Sequence, residues 1–230
     1  MPSGIPMARS HPLSRAAAKD YYDRWGLRQD HQHYEDRAVE RLFQQLHLEQ
    51  ANGVVELGCG TGRWAQVLLA EHLPGTGTYW GGDISDTMVA TAKARLHPFG
   101  DRAVVEQIDG DMPLPLAAGS CDRFFSTYVL DLLPEAEIEQ CIGEARRLLV
   151  PGGWLGLAGI TPGTTPASKL VMQGWQWLHL LKPEWLGGCR PLRLEPWLSP
   201  ADWAIEFRTV ESANGIASEV LVARRRPLPD

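Results

Sequence analysis

The chain has 230 residues, of which 44% are hydrophobic and 22% are charged, and its formal net charge is -6. This length suits one domain around one hydrophobic core, and the apolar content excludes a disordered chain. The acidic balance argues against a nucleic-acid partner, which requires clustered Lys and Arg to neutralise phosphates.

The cysteines and the apolar runs indicate the compartment. The four cysteines form no CxxC pair, so the sequence predicts neither a metal site nor a disulfide framework. No run of eighteen apolar residues occurs, and the first twenty residues lack the apolar stretch of an export signal. We therefore expect a cytoplasmic protein with reduced thiols and no membrane span. Residues 1–6 have turn-forming composition and are left out of the fold prediction.

From residue 53 to residue 160, short β-type runs alternate with helical patterns, which is typical of parallel strands joined by crossover helices. Five strands are predicted at residues 54–57, 77–83, 102–109, 121–127 and 154–160. Helical periodicity connects them at residues 62–72, from the N-cap Ser85 to Leu96, and at residues 135–149. Two later β-type runs, 203–211 and 215–223, meet at Asn214-Gly215, which suits a type I′ turn and predicts an antiparallel hairpin.

The strongest local motif is Glu56-Leu57-Gly58-Cys59-Gly60-Thr61-Gly62, directly after the first strand. Glycines at alternate positions let the backbone turn tightly and approach a ligand without an intervening Cβ. The helix that begins there directs backbone N–H groups and its positive dipole end to the same place. The motif predicts a site for a nucleotide-like ligand, although a tight turn alone also requires glycine.

Two acidic positions strengthen this prediction. Asp83 ends the second strand, 21 residues after Gly62, where a carboxylate can accept the hydroxyls of a ribose; alone, it could simply mark the start of the next helix. The run from Asp109 to Pro113 ends the third strand and could receive an adenine, or could form a polar turn.

The sequence resembles the class I methyltransferases that depend on S-adenosylmethionine (SAM), particularly the branch with the ubiquinone and menaquinone methyltransferases. The resemblance covers about residues 50–160 and lies in ELGCGTG (56–62), GDIS with Met88 (82–88), GDMPLPL (110–116), CDRFFSTYVLDLL (121–133) and ARRLLVPGGWL (145–155). It implies a Rossmann-like α/β fold, a doubly wound seven-stranded sheet of order 3-2-1-4-5-7-6 with helices on both faces.

The resemblance also implies site residues. Glu56, Gly58 and Gly60 are expected around the methionine moiety of SAM, and Thr127 near its amino acid end. Asp83 and Ile84 are expected on the ribose and adenine, and Asp111 and Met112 on the adenine. Further expected members of the cofactor site, which after transfer holds S-adenosylhomocysteine (SAH), are Cys59, Gly62, Met88 and Gly110.

The resemblance divides the single domain into parts. These are an N-terminal helical cap segment (1–50), a SAM-binding core (51–161), an insertion that lines the acceptor pocket (162–200), and the hairpin that completes the sheet (201–225). Asp131-Leu132 replaces a histidine pair that many relatives carry after the fourth strand, so no role of those histidines is transferred. The oligomeric state, monomer or homodimer, is not determined by the sequence.

The acceptor is expected to be a small, apolar or aromatic molecule with an O, N, S or C nucleophile. Tyr22 is expected at the cofactor, where an aromatic face attracts a sulfonium. Expected contacts of the acceptor are Tyr21, Trp25, Trp175, His179 and Arg190. Candidates for a general base, needed only for an acceptor that loses a proton, are Tyr22, His31, His33 and His179.

Three other functions remain open at this level. A nicotinamide-dependent oxidoreductase would use the same strand–turn–helix unit, although its GxGxxG spacing is not present. A SAM-binding partner subunit without catalysis would have no need of the retained glycines and acids. A nucleic-acid methyltransferase is expected to show a basic face or an Asn/Asp-Pro-Pro-Tyr/Phe motif, whereas this chain has Ser126-Thr127-Tyr128-Val129.

Overall fold

The computed structural model describes residues 13–31 and 33–227 and contains a seven-stranded sheet. The strands are β1 (Gly53–Leu57), β2 (Thr78–Asp83), β3 (Ala103–Gln107), β4 (Cys121–Thr127), β5 (Leu149–Ile160), β6 (Trp203–Ala213) and β7 (Ile216–Arg225). Their order is β3-β2-β1-β4-β5-β7-β6. The first five strands are parallel, and β7 is antiparallel to both β5 and β6. The predicted order and the antiparallel terminal hairpin are confirmed.

The core lies on both faces of the sheet because neighbouring side chains of a strand point to opposite faces. Val54 of β1 packs in one apolar cluster with Leu42 and Leu46, and Val55 packs in the other with Ile142 and Leu148. A sheet covered on both faces explains why the residues of β1, β2 and β4 are almost continuously buried rather than alternately buried and exposed.

Six α-helices are formed by the described residues: α1 (Arg15–Trp25), α2 (Asp36–Gln45), α3 (Arg63–Val67), α4 (Asp86–Leu96), α5 (Glu135–Leu148) and α6 (Pro166–Leu181). α3 continues into a π-helical turn, Leu68–His72, so it fills the range predicted from periodicity. The hydroxyl oxygen of Ser85 accepts a hydrogen bond from the backbone N–H of Met88 at 3.2 Å, which is the predicted N-cap of α4. None of the helices within the described residues is long and apolar enough to cross a membrane.

The turn between β6 and β7 and the start of β5 are two details of the sheet that the sequence addressed. Asn214 and Gly215 have φ values of 53° and 83°, as a type I′ turn between β6 and β7 requires. β5 begins at Leu149 rather than at Trp154, where the sequence predicts it. Cys121 of β4 pairs with Leu149, whereas Arg123 pairs with Trp154, so residues 150–153 form a bulge that keeps the chain in the sheet.

The described segments outside the parallel core pack against it and against one another. α1 packs on α4, and α2 packs on β5, β6 and β7. The region between β5 and β6 contains α6 and the short helical turns Pro183–Leu186 and Glu195–Trp197. The backbone N–H of Ser168 donates a 3.1 Å hydrogen bond to the hydroxyl oxygen of Thr165, which forms the N-terminal cap of α6. The sequence patterns did not predict this helix.

Candidate functional site

The turn after β1 has the left-handed backbone conformation that its glycines allow. Gly58, Gly60 and Gly62 all have positive φ, at 80°, 52° and 72°. A Cβ on Gly58 would lie 2.1 Å from Cγ2 of Val129, and one on Gly62 would lie 3.0 Å from Cβ of Ala92. Gly58 is therefore required for the approach of the segment after β4, and Gly62 for the packing of α3 on α4.

Asp83, at the end of β2, joins this turn to the start of α4. One carboxylate oxygen accepts a hydrogen bond from the backbone N–H of Gly60 at 2.8 Å, and the other accepts from the backbone N–H of Ser85 at 2.9 Å. Burial raises the pKa of Asp83, while the hydrogen bonds lower it. Each oxygen of a carboxylate keeps a second lone pair, so both remain able to accept from a ligand hydroxyl.

A cleft of about 1130 Å³, its open mouth included, lies along the carboxyl ends of the parallel strands. It is lined by residues of the N-terminal segment, of the ends of β1, β2 and β4, and of α5. It brings together nine residues that the sequence predicts in the cofactor site: Tyr22, Gly58, Gly60, Asp83, Ile84, Met88, Gly110, Met112 and Thr127.

The remaining four predicted cofactor residues lie around this cleft rather than along it. Glu56 and Cys59 line a second cavity of about 400 Å³ beneath the glycine turn. Gly62 packs against α4. The Asp111 side chain is 72% exposed and forms an ion pair with Arg15 of α1. The roles assigned to these four residues stay predictions.

The smaller cavity is polar and adjoins the cleft, since Gln29, Gly58, Gly60 and Thr127 line both. The Tyr79 hydroxyl donates a 2.5 Å hydrogen bond to Glu56, and burial nevertheless raises the pKa of Glu56 to about 8. The cavity lies where β1 ends, beneath the glycine turn.

Several residues of the cleft were not identified from the sequence. Gln29, in a helical turn after α1, holds its amide against the glycine turn: a Cβ on Gly60 would lie 3.3 Å from its Oε1. This Oε1 atom is buried and has no hydrogen-bond partner among the residues that the structure describes. An orphaned buried acceptor beside a cleft is a position to which a bound molecule can donate a hydrogen bond. No sequence pattern marks Gln29, because its position depends on how the N-terminal segment folds over the core.

One side of the cleft is apolar. Leu13 and Ala18 enter it from the N-terminal segment, and Leu132, Leu133 and Cys141 enter it from the region after β4 and from α5. The helical spacing of Ile138, Cys141 and Ile142 predicts a buried face of α5, but only the tertiary packing shows that Cys141 borders the cleft.

The predicted acceptor contacts are placed differently from the cofactor residues, since none of them lines either cavity. Trp175 donates from Nε1 to the carbonyl oxygen of Cys189 at 2.9 Å, and Nε2 of His179 lies 2.9 Å from the carbonyl oxygen of Gly188. Arg190 donates from Nη2 to the carbonyl oxygen of Leu133 at 2.6 Å. Together these contacts hold residues 187–190, which we call the 187–190 loop, between α6 and the segment after β4.

The aromatic and histidine candidates of the N-terminal segment are also placed by the structure. Tyr21 stacks on Trp25 with ring centroids 5.4 Å apart, while Tyr22 alone of these three lines the cleft. His33 is exposed and lies 3.0 Å from a carboxylate oxygen of Asp36, and His31 is exposed. The acceptor and base roles of these residues stay predictions.

Comparison with known proteins identifies the domain. Residues 54–153 match a family model described as a methyltransferase domain. Methyltransferase GfsG of Streptomyces halstedii is 31% identical over 128 residues, which are 54% of this chain and 44% of that protein. Highly reducing polyketide synthase ALT1 of Alternaria alternata is 28% identical over 190 residues, or 77% of this chain and 7% of that protein.

The fold is shared with solved structures as well. The [4+2]-cyclase SpnF superposes with a TM-score of 0.64 and 18% identity, over 83% of this chain and 81% of that chain. Of the two relatives compared by sequence, the chain spans less than half of the length of Methyltransferase GfsG and less than a tenth of the length of polyketide synthase ALT1.

Proposed function

We propose that the chain is a class I SAM-dependent methyltransferase with SAM as its cofactor, and that it transfers a methyl group from SAM to a small molecule with an apolar skeleton. The observation that supports this proposal is the continuity of one cleft, from the glycine turn and Asp83 at one end to the apolar wall of Leu13, Leu132 and Leu133 at the other.

The residues present fit the cofactor. Gly58, Gly60 and Asp83 line the cleft, and Gln29 holds a buried acceptor that has no donor among the described residues. We place the ribose hydroxyls on Asp83, the adenine between Ile84 and Met112, and the methionyl end beside Gly58. SAM supplies an activated methyl group on a positively charged sulfur, and SAH is the product.

The protein's contribution to the reaction is alignment and exclusion of water. Holding two reactants in the correct geometry lowers a barrier by about 7–11 kcal/mol in favourable intramolecular cases. Ala18 and Tyr22 of α1 close one side of the cleft, and Val129 and Leu132 close another. Tyr22 presents an aromatic ring to the cleft, and such a face attracts a cation by about 0.5–2 kcal/mol.

The apolar wall and the relatives support the same acceptor class. One relative is a polyketide synthase and another is a methyltransferase of a streptomycete. We therefore propose a polyketide-like acceptor, a largely hydrocarbon molecule with oxygen substituents, bound against Leu132, Leu133 and Cys141. Methyl transfer to such an oxygen or an adjacent carbon places the enzyme among the methyltransferases (EC 2.1.1).

Calorimetric titration with SAM, SAH and NAD tests the cofactor part, with binding of SAM and SAH expected and no binding of NAD. Formation of SAH is then measured over a panel of polyketide-like alcohols, phenols, β-keto thioesters, amines and thiols. Turnover with an oxygen-bearing acceptor is expected. If SAM binds and no acceptor in the panel yields SAH, the polyketide-like acceptor proposed here is wrong; if SAM does not bind, the whole proposal fails.

A further inference from the structure

Gln29 lies at the junction of the cleft and the smaller cavity. It lines both, and the other described residues that do so are Gly58, Gly60 and Thr127. Of these four residues, only Gln29 comes from the N-terminal segment, in the helical turn Gly26–His31. A ligand that extends from the cleft into the smaller cavity therefore passes between the glycine turn and Gln29.

Contacts of the neighbouring residue fix the position of Gln29. The hydroxyl of Thr61, in the glycine turn, donates a 2.5 Å hydrogen bond to Oδ1 of Asp30. Nη2 of Arg95, on α4, lies 2.6 Å from Oδ2 of Asp30, and Nη1 of Arg95 donates to the backbone carbonyl oxygen of Thr61 at 3.1 Å. The helical turn that carries Gln29 is thus tied both to the glycine turn and to α4.

The smaller cavity contains more acceptor groups than cations. Oε1 of Gln29 is buried and unpaired among the residues that the structure describes. The carboxyl groups of Glu35 and Glu56 line the same cavity, and a carboxyl group accepts hydrogen bonds in either protonation state. Arg63, the one Lys or Arg side chain among the described lining residues, already forms an ion pair with a carboxylate outside the cavity. Such a lining favours a ligand group that donates hydrogen bonds and carries positive charge.

The donors of SAM differ in how far they lie from this cavity. SAM has three kinds of hydrogen-bond donor: the adenine amino group, the ribose hydroxyls and the ammonium group of its amino acid end. In the placement proposed above, the adenine lies between Ile84 and Met112 and the ribose lies on Asp83. None of these three residues lines the smaller cavity. The ammonium group is therefore the donor that remains for Gln29.

We propose that Gln29 is a specificity residue of the cofactor site, whose side-chain amide oxygen accepts a hydrogen bond from the ammonium group of SAM at the entrance of the smaller cavity. The inference rests on the proposed function and deepens it, because it names the residue that selects the amino acid end. Gln29 then distinguishes SAM and SAH from adenosine thioethers that lack this end.

Four ligands separate the possible contacts of Gln29. SAM and SAH carry the whole amino acid end, decarboxylated SAM keeps the ammonium group and lacks the carboxylate, and methylthioadenosine lacks both. Their dissociation constants are measured by calorimetric titration, and weak ligands are measured by displacement of SAH. The wild type is expected to bind the three ligands that carry an ammonium group more tightly than methylthioadenosine.

Q29M removes the amide and keeps a side chain of similar length. It is expected to weaken the binding of SAM, SAH and decarboxylated SAM about 10–100-fold, the usual loss for a hydrogen bond to a charged group. Binding of methylthioadenosine is expected to change little. The matched control is Q140M, because Gln140 lines the cleft from α5 but does not line the smaller cavity. Q140M is expected to alter the affinities for all four ligands to the same extent.

Q29E is a second variant that keeps an acceptor oxygen at this position. It is expected to retain the preference for SAH over methylthioadenosine that Q29M loses. Thermal unfolding checks that both variants fold, and a variant that still binds methylthioadenosine has kept the cleft. Loss of the preference in a folded Q29E contradicts the proposal.

The pattern across ligands distinguishes a cofactor contact from a structural role. If Q29M weakens all four ligands equally, its effect is on the glycine turn, and if it weakens none, ordered water satisfies the amide oxygen. Either result overturns the proposal. A loss for SAM and SAH that is absent for decarboxylated SAM places Gln29 on the carboxylate and also overturns it. Failure of SAM and SAH to bind the wild type contradicts the proposed function instead.

Discussion

The carboxylate of Asp83 and the backbone N–H of Gly60 form a 2.8 Å hydrogen bond, so the acid at the end of β2 and the glycine turn after β1 form one structural unit. A ligand that uses Asp83 therefore also depends on the conformation of the turn. Loss of the Asp83 carboxylate is therefore expected to alter both a ligand contact and the glycine turn.

D83A is expected to weaken SAM binding at least tenfold, because it removes the acceptor of the ribose hydroxyls and also releases the Gly60 N–H. D83N keeps one carbonyl oxygen and is expected to have a smaller effect. D86N changes an exposed acid three residues later, at the start of α4, and serves as the control. Calorimetry gives the dissociation constants, and an affinity for D83A equal to that of the wild type would exclude Asp83 from the ribose site.

G58A is expected to destabilise the protein more than G119A, although both glycines have positive φ. A left-handed conformation costs an L-residue about 1–2 kcal/mol, and this cost applies to both variants. Only at Gly58 would the new Cβ also lie 2.1 Å from Val129, whereas at Gly119 it meets nothing within 4 Å. Chemical denaturation measures the difference, and equal losses in the two variants would contradict the close approach of Val129.

The ligand-free protein is expected to be less stable at pH 8 than at pH 6. Burial raises the folded-state pKa of Glu56 from 4.5 to about 8, so between these values the folded state binds more protons than the unfolded state. Its stability contribution is therefore present at low pH and is lost as the pH rises towards 8. E56Q is expected to reduce this slope and the exposed control E71Q to preserve it, as measured by denaturation midpoints. A slope unaffected by E56Q would show that Glu56 ionises normally.

W175F is expected to lower the free energy of unfolding by about 1 kcal/mol, the net value of a typical hydrogen bond, because it removes the bond from Nε1 to the Cys189 carbonyl. Proteolysis within the 187–190 loop is expected to accelerate, since this bond helps to hold the loop. W177F, at an exposed position of the same helix, provides the comparison. Equal proteolysis of W175F and the wild type would show that the loop is held by other contacts.

The sequence by itself determined the sheet. Apolar runs that end at turn residues predict the strands, and Asn214-Gly215 predicts the final hairpin, because these features depend on local backbone preferences and on burial of neighbouring side chains. The glycine turn and Asp83 were predicted for the same reason: their conformations are fixed by residues close in the chain and by matched positions at two adjacent strand ends.

Only the tertiary structure decided which side chains surround the cleft. Gln29 lines it from the N-terminal segment, and Glu35 lines the smaller cavity beside it. Trp175 and Arg190, which their residue types suggested as acceptor contacts, donate hydrogen bonds to backbone carbonyls. Those positions depend on packing between segments far apart in the chain, and a residue's type does not specify its partner there. The buried carboxyls illustrate the difference. A sequence shows that Glu35 and Asp131 exist, but only the fold removes them from water and brings Asp131 close enough to raise the pKa of Glu35.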